Sequence, residues 1–279
     1  MTTDLVTTDR LASRLGKPGL SVIDASWYLP AMKRSARDEY RAAHIPGAIF
    51  LDIDAVSDQG SDLPHMMPAL DAFAAVLAAE GVSETDQIVV YDGTGIFSAA
   101  RMWWMIRMLG HRDVAVLDGG MKKWLTEGRE VTSDVSSPSN STFSVRPALA
   151  LSATWQQVQA RLEAGEMVLD ARSAGRFDGS VAEPRPGLKS GHMPGAKNLP
   201  FGELLNADGT MKSAADLRHV FAARGWTPGV QVTTSCGSGV TAAIISLALA
   251  VLGEETTLYD GSWAEWGGLP GVEIATGSH

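Results

Sequence analysis

The sequence predicts an α/β protein of two tandem domains, each a mainly parallel sheet flanked by helices. Three observations carry that expectation. Short β-branched runs alternate with helical patterns along the chain. Three motifs recur in the same order in the second half. The 279 residues also suffice for two domains of ordinary size.

Taken in order, Ile88-Val89-Val90-Tyr91, Ala115-Val116-Leu117 and Val230-Gln231-Val232-Thr233-Thr234 read as buried strands, being short continuous runs rich in β-branched residues. Segments 71–79, 99–108, 154–164 and 241–252 read as helices from their apolar spacing and length. Strands separated by helices pair in parallel, and such sheets bind ligands beyond the carboxyl ends of their strands.

The repeat is the strongest signal. Val22-Ile23-Asp24-Ala25 returns 146 residues later as Val168-Leu169-Asp170-Ala171. His44-Ile45-Pro46-Gly47-Ala48 returns after 148 as His192-Met193-Pro194-Gly195-Ala196, and Asp118-Gly119-Gly120 after 142 as Asp260-Gly261-Ser262. Nearly constant spacing marks a tandem duplication. The Ser-rich stretch 133–141 suits a joint, which gives a first domain at 1–132, a linker at 133–148 and a second domain at 149–279. Asp24 and Asp170 are expected to end strands and cap the turns that follow. Each His-x-Pro-Gly histidine is expected to tie a loop to its domain rather than bind metal, since no Cys/His cluster accompanies it.

Composition narrows the function. Lys and Arg total 23 against 32 Asp and Glu, a formal charge of −9, which argues against nucleic acid as a partner. The longest apolar run, 242–252, contains Ser246 and falls short of the roughly 20 residues that span a bilayer, so no membrane partner is expected. Met1-Thr2-Thr3-Asp4-Leu5 lacks the basic-then-apolar pattern of a secretory signal. One cysteine permits no internal disulfide and fits a reducing, cytoplasmic setting.

That cysteine, Cys236, stands directly after a predicted strand in Ser235-Cys236-Gly237-Ser238-Gly239-Val240-Thr241. A lone cysteine is ordinarily a small buried hydrophobe. Here two glycines let the loop curl with its N–H groups inward, and a helix start adds partial positive charge. Such a cradle favours a sulfur anion, whether thiolate or persulfide.

The tandem halves, the block Tyr40-Arg41-Ala42-Ala43-His44-Ile45-Pro46-Gly47-Ala48, the cysteine loop and Tyr259-Asp260-Gly261-Ser262-Trp263-Ala264-Glu265-Trp266 together resemble the rhodanese-type sulfurtransferases over nearly the whole chain. The resemblance implies two tandem rhodanese-like domains and a persulfide on Cys236. Within that family, a cysteine followed by Gly-Ser-Gly-Val-Thr resembles the 3-mercaptopyruvate users, whereas thiosulfate users place an Arg-Lys pair after the cysteine. It further implies that Arg176 and Arg185 hold the carboxylate of 3-mercaptopyruvate, with Gly237, Gly239, Val240 and Thr241 forming the loop around the sulfur. Asp54, His65 and Ser238 would act as a relay, and a thiol such as that of thioredoxin, or cyanide in vitro, would accept the sulfur. No cofactor and no metal are implied. The family's aromatic hydroxyl near the substrate is here Phe97.

Taken alone, Arg185 could instead pair with Glu183 or Asp178 on a solvated loop. The repeat supplies an internal control: Asp92-Gly93-Thr94-Gly95 stands 144 residues before Cys236-Gly237-Ser238-Gly239, so the first half should be catalytically silent. Two other functions remain open, a thiosulfate sulfurtransferase and a non-catalytic binding or redox-sensing module. A cysteine phosphatase is excluded, because it needs an arginine at the loop's end, where Ala242 stands.

Overall fold

The computed structural model describes residues 4–135 and 141–277. Met1–Thr3, Ser136–Asn140 of the expected linker, Ser278 and His279 lie outside the described residues. Two compact units emerge. The first comprises Met1–Gln59, Met67–Ala148 and Leu205–Met211, and the second Gly60–Met66, Leu149–Leu204 and Lys212–His279. The described linker residues 141–148 hydrogen-bond to the first unit, with Arg146 N to Leu109 O at 2.8 Å and Ala148 N to Met108 O at 3.0 Å.

In the first unit, β1 (Leu5–Val6), β2 (Leu20–Asp24), β3 (Ala48–Phe50), β4 (Gln87–Tyr91) and β5 (Val114–Leu117) form one sheet in the order β1-β5-β4-β2-β3, with every pairing parallel. In the second, β6 (Ser152–Ala153), β7 (Met167–Asp170), β8 (Lys197–Asn198), β9 (Val232–Ser235) and β10 (Thr257–Tyr259) repeat that order as β6-β10-β9-β7-β8, again all parallel. Both sheets are therefore as the duplicated sequence predicts. The edge strands of two or three residues carry too little pattern to be seen in sequence.

The predicted central strands and helices occur within a residue or two. The strand expected from Val230 begins at Val232, because a turn bonding Val230 N to Thr227 O at 3.1 Å uses up its start. Thr154 caps the helix Trp155–Glu163 in a reciprocal box with Gln157. The helix Ser98–Met108 is buried on all sides, and its two arginines lie over tryptophan rings, Arg101 over Trp104 at 4.4 Å and Arg107 over Trp103 at 4.7 Å. Among the described residues, no helix is long and apolar enough to cross a membrane.

The repeated histidines are buried ties. His44 Nδ1 meets Tyr40 O at 2.7 Å and its ring stacks on Tyr40, while His192 Nδ1 meets Phe177 O at 2.8 Å and stacks on Phe177. Asp24 and Asp170 end β2 and β7, and each accepts from the amide two residues on, Ser26 and Arg172, at 2.9 Å.

Candidate active site

β9 is the middle strand of its sheet, so its carboxyl end opens between two neighbours. Cys236 follows it directly and is 2% exposed. The next ten helical residues, Ala242–Val251, bury their first eight side chains and anchor the far end of the loop. The carbonyls of Cys236 and Gly237 accept from Trp263 N at 3.0 Å and Ala264 N at 2.9 Å. From the same turn, Ser262 Oγ accepts from Cys236 N at 3.2 Å and Gly239 N at 3.1 Å and donates to Tyr259 O at 2.8 Å. Ser262 does this from a left-handed backbone, φ 50°, a conformation unfavourable for a residue with a Cβ. Sequence reasoning missed it. Its counterpart Gly120 holds nearly the same φ, 53°, and a methyl group there would meet the carbonyls of Asp92 and Gly95 at 2.5 Å. A serine where the sister repeat keeps glycine was the available signal.

The first unit displays what such a loop does with an anion. Asp92 stands at the cysteine position, and its carboxylate gathers the surrounding donors. Oδ1 accepts from Thr94 N at 2.9 Å, Thr94 Oγ1 at 2.7 Å and Gly95 N at 3.1 Å. Oδ2 accepts from Phe97 N at 2.7 Å and Ala99 N at 2.9 Å. Amides converging on one negative group in a strand-to-helix loop form an anion nest. In the repeat, the residues at the matching positions are Ser238, Gly239, Thr241 and Ala243, of which Gly239 donates its amide to Ser262 Oγ.

Ser238 and His65 meet inside the second unit, with His65 Nδ1 to Ser238 Oγ at 2.9 Å. Ser238 is 7% exposed and His65 6%. His65 is held at φ 61°, one of three described non-glycine residues at positive φ. Strained backbone of this kind persists where surrounding contacts over-determine it. Asp54 belongs to the first unit, where its Oδ2 accepts from Trp27 Nε1 at 2.8 Å. Trp27 in turn stacks on Phe97, with ring centroids 6.2 Å apart.

Arg176 lies against the loop: a methyl group built on Gly237 would sit 3.0 Å from Nη2 and 3.6 Å from Nη1. The guanidinium sits so close that a side chain at this position would have to push it by a few tenths of an ångström. Its other edge is held by Glu183, with Nε to Oε1 at 3.1 Å and Nη2 to Oε2 at 2.5 Å. Glu183 also accepts from Arg172 Nη1 at 2.8 Å. Arg172 is bound to Asp170 through Nε and Nη2, and its guanidinium lies 4.2 Å from the Trp263 ring centroid. Burial pulls against the charge of Arg172, but Asp170 and Glu183 hold its pKa above the ordinary arginine value. Glu183 thus serves Arg172 and Arg176. Arg185 follows it between Pro184 and Pro186. The roles of Glu183, Arg172 and Asp170 were missed in sequence, although Arg172 adjoins the repeated strand-ending aspartate. Among the described residues, no group of three or more His, Cys, Asp or Glu is placed to hold a metal ion.

A family model described as Rhodanese-like domain matches residues 7–127 and again 154–269. The 3-mercaptopyruvate sulfurtransferase of Homo sapiens is 40% identical over 259 residues, covering 91% of this chain and 87% of the relative. The thiosulfate sulfurtransferase of Bos taurus is 43% identical over 271 residues, covering 94% and 91%. Among solved structures, SseA from Escherichia coli, described with the 3-mercaptopyruvate sulfotransferases and the "Rhodanese" fold, matches with a TM-score of 0.85 at 37% identity, covering 95% of this chain and 100% of that one.

Proposed function

The chain belongs to the rhodanese-type sulfurtransferases, and from that premise we propose that it takes sulfur from 3-mercaptopyruvate onto Cys236 and passes it to a thiol. It is an enzyme of the rhodanese and 3-mercaptopyruvate sulfurtransferase family, with two tandem rhodanese-like domains, a small-molecule sulfur donor and persulfide chemistry.

In the proposed reaction the thiolate of Cys236 attacks the donor sulfur. The new S–S bond forms as the donor C–S bond breaks, its electron pair passes into pyruvate enolate, and a proton then gives pyruvate. Arg176 and Arg185 hold the carboxylate, the planar fork of arginine being suited to bidentate pairing. The amides of Gly237, Ser238, Val240 and Thr241 stabilise charge on the sulfur and the leaving group, while Gly239 N is held by Ser262 Oγ and fixes the loop. His65 polarises Ser238, which donates to the developing charge. An acceptor thiol, proposed to be that of a dithiol protein such as thioredoxin, then attacks the outer sulfur and releases Cys236 thiolate. The first unit is the non-catalytic partner, since a carboxylate fills its loop.

The observation that carries the donor assignment is the guanidinium of Arg176 packed over Gly237, where the residues after the cysteine add no charge of their own. A dianion such as thiosulfate calls for cations at that point, while a carboxylate needs one well-oriented fork. Thiosulfate is the second reading, favoured by the identity to the bovine relative. Mass spectrometry of the peptide carrying Cys236 tests both. A gain of one sulfur atom is expected after 3-mercaptopyruvate, and none in Cys236→Ser. A higher kcat/KM with thiosulfate would replace the donor assignment, and transfer at the parental rate by Cys236→Ser would remove Cys236 from the reaction.

A further inference from the structure

An acid beside an anion site calls for explanation, and Glu183 is such an acid. Its side chain is 1% exposed, and it is the shared partner of two arginines. A carboxylate so near a bound carboxylate would weaken binding by repulsion if charge were its only contribution. Its geometry indicates a different contribution. Both bonds from Glu183 to Arg176 use the Nε–Nη2 edge, and the Nη1–Nη2 end of the same guanidinium lies against Gly237. Behind Glu183, Arg172 is fully buried and held by Asp170 and by Gly191 O at 2.8 Å. The chain Asp170–Arg172–Glu183 is therefore a rigid, charge-paired bracket ending on one arginine.

We propose that Glu183 is a positioning residue that aims the guanidinium of Arg176 at the donor carboxylate, with Arg172 and Asp170 as its support. A flexible arginine loses rotamer freedom when it grips a ligand; one already fixed along one edge does not. Within the Asp170–Arg172–Glu183–Arg176 set the four charges cancel, so the bracket supplies direction without a surplus of positive charge. This deepens the role given to Arg176 above and rests on it.

A double-mutant cycle on the full chain, read as kcat and KM for 3-mercaptopyruvate, tests it. In Glu183→Gln one accepting oxygen becomes a donor facing an arginine, so in either amide orientation one of the two bonds that aim Arg176 is lost at near-constant volume. KM is expected to rise about ten-fold, with kcat changing less than about three-fold. In an Arg176→Ala background the same change should add less than about two-fold, because the group it aims is gone. An equal penalty in both backgrounds would reduce Glu183 to a structural residue, and a KM that falls would make it merely a repelling charge; either result overturns the proposal. An unchanged KM for Arg176→Ala alone would instead strike the substrate role of Arg176. Should Glu183→Gln fail to fold, Glu183→Asp keeps the charge opposite Arg172 but shortens the reach to Arg176, and the same cycle is run with it.

Discussion

At the scale of single residues, space and charge are decided within a few tenths of an ångström. Gly237 has no positive-φ requirement, so alanine is conformationally acceptable there, yet its methyl group would press on an arginine that Glu183 already holds. Gly237→Ala is expected to raise KM for 3-mercaptopyruvate about three- to ten-fold while leaving the thermal unfolding midpoint nearly unchanged; steady-state kinetics beside a melting curve would check both halves. Asp24 gives a pH prediction. Burial pushes its carboxyl up to about 6, overcoming the bonds from Ser26, and nearby Asp92 adds to the rise. An unfolded chain ionises this group near 3.9. Between the two values the unfolded state is charged while the folded state stays protonated, so Asp24 lowers stability progressively from about pH 4 to pH 6, and the loss stays constant above. Asp24→Asn should therefore be more stable than the parent at pH 7, by about 1–3 kcal/mol, with the advantage vanishing near pH 4. Urea titrations at the two pH values decide it, and a gap independent of pH would refute the assignment.

At the scale of elements, the same strand-loop-helix unit occurs twice with different contents. In the first copy five donors close on the carboxylate of Asp92, so its loop is ordered by its own side chain. Asp92→Asn keeps the shape but turns an NH2 toward amides that also donate. It is expected to lower stability by about 2–4 kcal/mol, measured by denaturant unfolding, while persulfide formation on Cys236 persists. In the second copy order comes from the neighbouring turn, where Ser262 ties both ends of the loop. The strand, the loop and the helix after it were legible in sequence, because a β-branched run, paired glycines and an apolar helix each carry a local signal. Ser262 was not, because its role depends on a turn brought alongside by β10.

At the scale of the whole molecule, duplication made the fold readable. Two copies of one pattern predict two sheets of identical strand order, and the order is identical. Duplication also singled out Cys236 by contrast with Asp92, and placed it at the end of a central strand. By itself, then, the amino-acid sequence determined the parallel α/β class, the pair of repeats and the strand, loop and helix around Cys236, since periodicity, spacing and motif order are properties of the chain; Arg176 was named by family resemblance and not by any such pattern. Tertiary structure alone decided that residues 60–66 join the second compact unit, setting His65 at 2.9 Å from a serine 173 positions away. It likewise decided that Glu183 turns to Arg172 and Arg176, whereas the sequence offered it only as one of two alternative partners of Arg185. Such pairings depend on how distant segments fold back and on which charges become buried together, and a linear pattern of residues does not encode those distances.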